Sequence, residues 1–465
     1  MKLYNTPAKQ VEDIVPQNAP EVTVYSCGPT VYDYAHIGHW FTYVRTDILI
    51  RTLKASGFTP NWVMNITDVG HLVSDADEGE DKLEKGAKRE GKTAWEIADF
   101  YTKDFLEGMQ LLNISQPTQL VKATDNIAEQ IDLIKVLELK GYTYKIDDGI
   151  YFDTSKFKSY GVFAHLQLDA QQATGRVASN PQKHQQSDFA VWKFSPKGSS
   201  RDMEWDSPWG IGFPGWHIEC SAMSMKYLGE TLDLHTGGVD HIPVHHTNEI
   251  AQSEAATEKK FVNHWMHSNH VMVNDEKISK SLGNGIHLQA VIEKGISPMA
   301  VRLLVLESHY RSHAHFSWDS LEAAQTRLKT YQNMANLRWQ YTDKVDLSIN
   351  FDKELQAVRA SVADDLNTPQ ALALISELEA KLANNLVPAR QADSFEAYLG
   401  GLDDLLGLNL RVQEDIADDL KVLLSQRADA RSSREWDESD KIRGQLLAKG
   451  IGVKDTPDGQ IWFRL

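Results

Sequence analysis

Cysteine is nearly absent: the 465 residues contain two, Cys27 and Cys220. Two thiols cannot form a disulfide framework, so each is left as a core residue, a catalytic thiol or a metal ligand. No Cys-x-x-Cys pair occurs, which removes the zinc-knuckle pattern. No run of about 18 apolar residues exists, so no transmembrane helix and no membrane partner are expected. The N-terminal MKLYNTPAKQVEDIVP has no apolar h-region and does not read as a secretory signal, which makes the cytoplasm the expected compartment. Positive charge is in deficit, 48 Lys and Arg against 65 Asp and Glu, for a net charge of −17. An acidic average argues against indiscriminate nucleic-acid binding but leaves room for a local basic face. Internal repeats are lacking. The remainder, 42% hydrophobic and 24% charged, is ordinary for a globular chain, and the length calls for several domains.

The most informative stretch is Cys27 to Trp40, CGPTVYDYAHIGHW. Val22-Thr23-Val24-Tyr25 before it reads as a buried strand. Phe41, Val44, Ile48, Leu49 and Leu53 after it carry the 3.6-residue spacing of a helix. The stretch is therefore a loop leaving a strand and entering a helix, where open α/β sheets bind ligands and where a helix N-terminus favours an anion.

Along the chain, Asn61–Ile66 is a second strand candidate, followed by the loop Thr67-Asp68-Val69-Gly70-His71. Ser74–Lys92 is polar and reads as a solvated loop. A helix from about Thr93 places Trp95, Ala98, Phe105, Met109 and Leu112 on one face. The texture changes from about 115 to 200, with short strands at Gly141–Tyr144 and Gly149–Asp153 and a Gln-, Ala- and Ser-rich loop over Leu168–Ser187. α/β character returns over 204–256, including a strand Thr231–His235 that ends in Thr236-Gly237-Gly238-Val239-Asp240. Past 260 a short strand, Phe261-Val262, leads to Lys277-Ile278-Ser279-Lys280-Ser281 in a polar loop. Trp318 to about 405 is helical and reads as a bundle. The last 55 or so residues carry Arg427, Arg431, Arg434, Lys441 and Arg443 on a helix, then a hairpin over Gly450–Phe463.

Four constellations could carry chemistry. His36 and His39 share a helix face, and two imidazoles at a helix N-terminus could stabilise a transferring phosphoryl or nucleotidyl group; alone, the pair fits cap or surface histidines better. Lys277 and Lys280 could wrap a triphosphate, or form an exposed basic turn. Gly237-Gly238 with Asp240 could admit an adenosine and hold its ribose. Cys27, Cys220 and the i, i+4 pair His245 and Glu249 could meet at a strand-end crevice as a donor set suited to Zn2+, or could be inert core residues.

Taken in order, these pieces resemble a class I aminoacyl-tRNA synthetase, through His36-Ile37-Gly38-His39 and Lys277-Ile278-Ser279-Lys280-Ser281. Cys27-Gly28-Pro29-Thr30-Val31-Tyr32-Asp33, Asn65-Ile66-Thr67-Asp68, Gly215–Met223, His245–Ser253 and Asp364–Pro369 narrow the resemblance to the cysteinyl-tRNA synthetase family. It runs from the first residues to the last. It implies a doubly wound, Rossmann-like parallel-sheet catalytic domain (1–114 and 201–259) with a connective insertion at 115–200. It further implies a stem-contact region with the KISKS loop at 260–315, a helical tRNA-binding bundle at 316–408 and an anticodon-binding domain at 409–465. It implies one Zn2+ on Cys27, Cys220, His245 and Glu249, with the substrate thiolate as a further ligand, and Gly28, Thr67, Trp216 and His235 around L-cysteine. His36, His39, Lys277 and Lys280 would be catalytic. His36, His39, Gly238, Asp240 and Lys280 would contact ATP, used with Mg2+. The expected activity is ligation of cysteine to tRNA(Cys) by a monomer. The chain departs from the family pattern at Trp40-Phe41, where Ala-Arg is more usual, at Ile278 and at Thr247; none of these removes a catalytic or metal group.

Two rival readings share these motifs. One is a cysteine ligase acting on an amino sugar in thiol biosynthesis, which has no use for Arg427–Leu465. The other is a catalytically silent tRNA-binding paralogue, which has no use for intact His36, His39, lysines and metal donors.

Overall fold

The computed structural model describes residues 1–70, 81–166, 180–196, 201–273, 276–277, 285–343, 349–457 and 459–465. The chain divides into two compact units, Met1–Ala290 with Tyr310–His315, and Val291–His309 with Phe316–Leu465.

In the first unit five parallel strands run side by side in the order Val262–Ser268, Leu232–Gly238, Glu21–Ser26, Thr59–Ile66, Gln119–Lys122. Val22, Val24, Tyr25, Trp62, Val63, Met64, Leu232 and Leu234 are all buried, the near-continuous apolar runs that a parallel sheet covered on both faces requires. The earliest of these strands sits in the middle. The order reverses beside it, between Glu21–Ser26 and Leu232–Gly238, and such a switch point opens a crevice at the carboxyl ends of the strands. This is the α/β, Rossmann-like class expected. The strand expected at Phe261-Val262 instead runs from Val262 to Ser268; its histidines and asparagine hide it from a hydrophobicity reading.

The helix Ile37–Ala55 follows the central strand and buries Phe41, Val44, Ile48, Leu49 and Leu53. Trp40 also turns inward. Its ring stacks on Phe105 with centroids 5.3 Å apart, and a Cβ at Gly108 would stand 2.4 Å from it. Gly108 is therefore the notch that admits the indole. Gly108→Ala is expected to cost about 1–3 kcal/mol by overpacking, measured as a fall in denaturation midpoint. Trp40→Leu should recover most of the loss; if it does not, the notch is not the cause.

Part of the polar segment expected as a loop is helical. Lys82–Glu90 is capped by Asp81, whose carboxylate accepts from the N–H groups of Leu83 and Glu84, and closes at Gly91 with φ 66°. Leu83 and Ala87 are its buried apolar side chains, too few to show a period among so many charges. Residues 74–80 of that segment lie outside the described residues. Thr93 caps the next helix, Ala94–Leu111, through a capping box with Glu96. Trp95, expected on its buried face, is 44% exposed, and its indole N–H donates to the Asp202 carbonyl.

An antiparallel meander of Thr143–Ile146, Gly149–Phe152, Phe189–Phe194 and Gly212–Pro214 interrupts the parallel sheet in sequence. Its limits differ from 115 and 200. Gln119–Lys122 belongs to the parallel sheet, and Gly212–Pro214 closes the meander. A four-residue strand and a Gly-Phe-Pro triplet are too short to alternate visibly. Of the loop expected over Leu168–Ser187, residues 168–179 lie outside the described residues, and 180–187 form turns.

The second unit contains the helices Pro298–Leu306, Trp318–Ala335, Phe351–Ala363, Thr368–Leu382 and Ala392–Leu406. Leu321, Ala324, Leu328, Tyr331 and Met334 form one buried stripe, as the helical period predicts. Asp418–Ser432, Trp436–Ala448 and a hairpin of Ile451–Thr456 with Gly459–Arg464 enclose a small core of Ile416, Leu424, Ile442, Leu446, Val453 and Trp462. Arg427, expected on a basic face, is buried inside this piece. It makes a bidentate pair with Asp455 at 2.8 and 3.0 Å and donates to Gln460 Oε1 at 2.7 Å.

Candidate functional site

The switch-point crevice opens into a cleft of about 340 Å³. Cys27 and Gly28 leave the central strand at its floor. Asn65 and Thr67 come from the end of Thr59–Ile66, Gly237 and Gly238 from the end of Leu232–Gly238, and Ser268, Asn269 and His270 from the end of Val262–Ser268. Trp216 and Cys220 project from the helix Trp216–Leu228, and His245 from the turn before the helix Thr247–Thr257. His36 and His39 stand at the start of Ile37–Ala55. Gly28 is required by packing as well as position, since a Cβ there would lie 1.6 Å from the Asn65 carbonyl oxygen. Its N–H donates to Asn65 Oδ1, and Asn65 Nδ2 donates to Thr67 Oγ1, so one asparagine holds both cleft residues in place.

The two cysteines, 193 residues apart in sequence, meet here. One donor atom from each of Cys27, Cys220, His245 and Glu249 lies within 4.8 Å of every other. Glu249 Oε1 is buried and makes no hydrogen bond, although His245 Nε2 stands 2.9 Å away. Two thiols, an imidazole and a carboxylate are a donor set zinc accepts. A second group, Cys27, His235, His246 and Glu249, is equally compact. Its imidazoles are already engaged: His235 Nε2 with Glu249 Oε2 at 3.0 Å, and His246 with Cys27 Sγ at 3.4 Å and with His267 at 2.8 Å. Either set could hold a metal, and the imidazoles of the second set lean on Glu249 and Cys27, which the two sets share.

The electrostatics of the group agree. A proton shared with Cys220, aided by the surrounding histidines, holds Cys27 well below the ordinary thiol range against the effect of burial. The same contact, together with burial, pushes Cys220 well above that range. Burial would depress His245, but the Glu249 carboxylate and Cys27 outweigh it and raise it to about 10. Burial would raise Glu249, but His235 and His245 outweigh it and lower it to about 2. The group thus favours negative charge on Cys27 and Glu249 and positive charge on His245.

His36 and His39 stack face to face, with centroids 3.7 Å apart. The His36 N–H donates to His39 Nδ1 at 3.2 Å. The pair therefore caps the helix and faces the cleft at once. With Nδ1 occupied as an acceptor, the proton of neutral His39 resides on Nε2.

Gly238 faces open space, whereas a Cβ at Gly237 would press on His246 and His241. The Gly-Gly pair divides its work: Gly237 allows packing, and Gly238 leaves the cleft wall flat. Asp240 Oδ2 lies 3.3 Å from His270 Nδ1. The Trp216 ring lies against His245, with centroids 4.4 Å apart and planes tilted by 33°. His235 is fully buried, next to the cleft-lining residues rather than among them, and its Nε2 is bonded to Glu249 Oε2. Lys277 ends a short strand, Glu276–Lys277, paired with Val271–Val273. Lys280 and the rest of the KISKS loop lie outside the described residues.

Sequence reasoning passed over His217, His267 and Arg45. His217 Nδ1 lies 2.9 Å from His245 Nδ1, which leaves Nε2 of His245 as the donor atom. His267 Nδ1 lies 2.6 Å from Thr6 Oγ1 and backs His246. The available signal was alternation: Trp265 and His267 are i, i+2 on a strand and face the same core.

Comparisons with known proteins match this geometry. Residues 13–326 fit the family of class I (C) tRNA synthetase catalytic domains. Residues 357–411 fit the DALR domain, and residues 413–462 the cysteinyl-tRNA ligase anticodon-binding domain. Among solved structures, Mycobacterium tuberculosis methionyl-tRNA synthetase bound to methionyl-adenylate shares the fold, with a TM-score of 0.58 at 13% identity over 83% of this chain and 92% of that one. The fold and the catalytic-domain match define a class I aminoacyl-tRNA synthetase. Cysteine–tRNA ligase 1 of Burkholderia lata is 47% identical, over 100% of this chain and 97% of its own. The Treponema denticola cysteine–tRNA ligase is 41% identical, over the whole of both chains. The chain belongs to the cysteine–tRNA ligase family.

Proposed function

We propose that the protein activates L-cysteine with ATP and passes it to the 3′ end of tRNA(Cys). In the first step the cysteine carboxylate oxygen attacks the α-phosphorus of ATP. The bond to the bridging oxygen breaks, and pyrophosphate leaves. In the second, a ribose hydroxyl of the tRNA attacks the carbonyl carbon and AMP leaves. The observation that carries this reading is the meeting, at one strand-end crevice, of the Cys27, Cys220, His245 and Glu249 donors with the His36 and His39 helix start.

Zinc held by those four residues would supply a soft Lewis acid for a thiolate, at a Zn–S distance of about 2.3 Å that a hydroxyl or methyl reproduces poorly. Trp216, Thr67 and Gly28 would close around the cysteine, while His235 would orient Glu249. Apolar pockets separate close analogues by only ~10–200-fold, so selection by sulfur makes an editing domain unnecessary. His36 and His39 would neutralise charge on the α-phosphate, as preorganised donors in a closed site do. Gly238 would lie under the adenosine, Asp240 would hold the ribose, and Lys277 and Lys280 would close on the phosphates with Mg2+. The DALR region and the C-terminal domain would grip the tRNA, and cytoplasmic, monomeric action belongs to the same proposal.

The test is ATP–pyrophosphate exchange with cysteine, followed by charging of tRNA with a GCA anticodon. Both are expected. Exchange without charging would instead support the amino-sugar ligase, and no exchange would support the silent paralogue.

A further inference from the structure

One buried arginine joins the two parts of the first unit that border the nucleotide side of the cleft. Arg45 lies on the helix Ile37–Ala55, six residues past His39, and is 4% exposed. Its Nη1 donates to Ser268 Oγ at 2.7 Å and to the Asn269 carbonyl at 2.9 Å. Those residues close the strand Val262–Ser268, line the cleft and lead straight into the hairpin of Val271–Val273 with Glu276–Lys277. The turn is held from its other side as well. The Asn269 N–H donates to the Tyr310 carbonyl at 2.8 Å, Asn269 Nδ2 donates to the Arg311 carbonyl at 2.9 Å, and Asn269 Oδ1 accepts from the His270 N–H at 2.8 Å. His270 in turn meets Asp240.

The buried guanidinium binds a side-chain hydroxyl and a backbone carbonyl of one turn through a single nitrogen. Burial lowers Arg45 only to about 10, so it stays charged at neutral pH. A position that needed only packing would be filled more cheaply by an aliphatic side chain. The two N–H groups of Nη1 lie fixed in the guanidinium plane and serve the two acceptors of the turn at once.

We infer that Arg45 is a positioning residue for ATP: it fixes the His36–His39 helix to the turn that launches the Lys277 hairpin, so that both nucleotide-facing parts keep one geometry. Small displacements of such parts cost rate out of proportion to their size. The inference rests on the activity proposed above.

The test measures ATP–pyrophosphate exchange and equilibrium ATP binding for Arg45→Met, Arg45→Lys and Ser268→Ala. Arg45→Met is expected to raise KM and Kd for ATP about tenfold or more, the range set by losing hydrogen bonds from a charged donor. KM for cysteine and zinc content should stay unchanged. Arg45→Lys should fall between, because an ammonium on a flexible stem can reach the acceptors but lacks the fixed planar placement of Nη1. Ser268→Ala should shift ATP binding in the same direction by less, and should add nothing to Arg45→Met. A lowered melting temperature with both KM values unmoved, or an equal rise in both, would make Arg45 merely structural and overturn the inference. The two failures separate cleanly. Absence of exchange in the unmutated protein overturns the activity, whereas an unchanged ATP Kd across the variants overturns the coupling.

Discussion

Cys220→Ala is expected to lose zinc and cysteine recognition together. Cys220 is buried on the Trp216–Leu228 helix and supplies one of only two sulfur donors. Without it, Cys27 loses the contact that does most to hold it below the ordinary thiol range, and the candidate set is left with one thiol, one imidazole and one carboxylate. Metal content of the purified variant, measured by atomic absorption, should fall from one per chain towards none. In exchange assays the preference for cysteine over serine should collapse towards the ~10–200-fold that pocket shape alone provides. Zinc retained at one per chain would sink the assignment of Cys220. His235→Leu provides the graded control. It leaves all four donors in place but frees Glu249 Oε2, to which His235 Nε2 is bonded at 3.0 Å. Loss of such a support typically weakens metal binding about 10–100-fold, so a chelator should strip this variant faster than the parent. Equal resistance would mean that His235 does not orient Glu249.

His39→Asn is expected to lower kcat/KM for ATP–pyrophosphate exchange by about 10²–10³-fold, the range seen when one preorganised donor to a developing charge is removed. The substitution separates two jobs that one ring performs. His39 Nδ1 accepts from the His36 N–H, and an asparagine Oδ1 can take that place, so the helix start is kept. The outward Nε2–H has no counterpart in asparagine. His39→Gln reverses the trade, placing its amide N–H group near the former Nε2 and abandoning the cap. Glutamine should therefore keep more activity and lose more stability than asparagine. If asparagine retains full exchange, the pair is a cap and nothing more.

Much of this site was legible before any coordinate. The loop after Tyr25, the apolar period after Trp40 and the i, i+4 pair His245 and Glu249 are local patterns, set within one strand or one or two helical turns. Local sterics and hydrogen bonding act at that range, so they leave a mark on the sequence. Arg427 shows the limit of such reading. Five basic residues near one helix imply a positive face, yet Arg427 is a buried strut because Asp455 and Gln460, on the hairpin that follows, fold over it. The helix Lys82–Glu90 was hidden for the opposite reason: its end signals, Asp81 and Gly91, are clear, but its buried face is two residues wide.

The sequence by itself determined the family and the strand–loop–helix at Cys27 to Trp40, and through the family resemblance it named Cys27, Cys220, His245 and Glu249 as candidate metal donors. These follow from residue types in a fixed order, which a linear chain records in full. Only the tertiary structure decided that Cys27 and Cys220 meet at one point, that His235 bonds Glu249, that Gly108 makes room for Trp40, and that Arg45 ties one helix to the turn at Ser268. Each of these depends on which atoms of distant segments come within a few ångströms. That is fixed by the order of strands in the sheet and the packing against it, and no spacing along the chain encodes it.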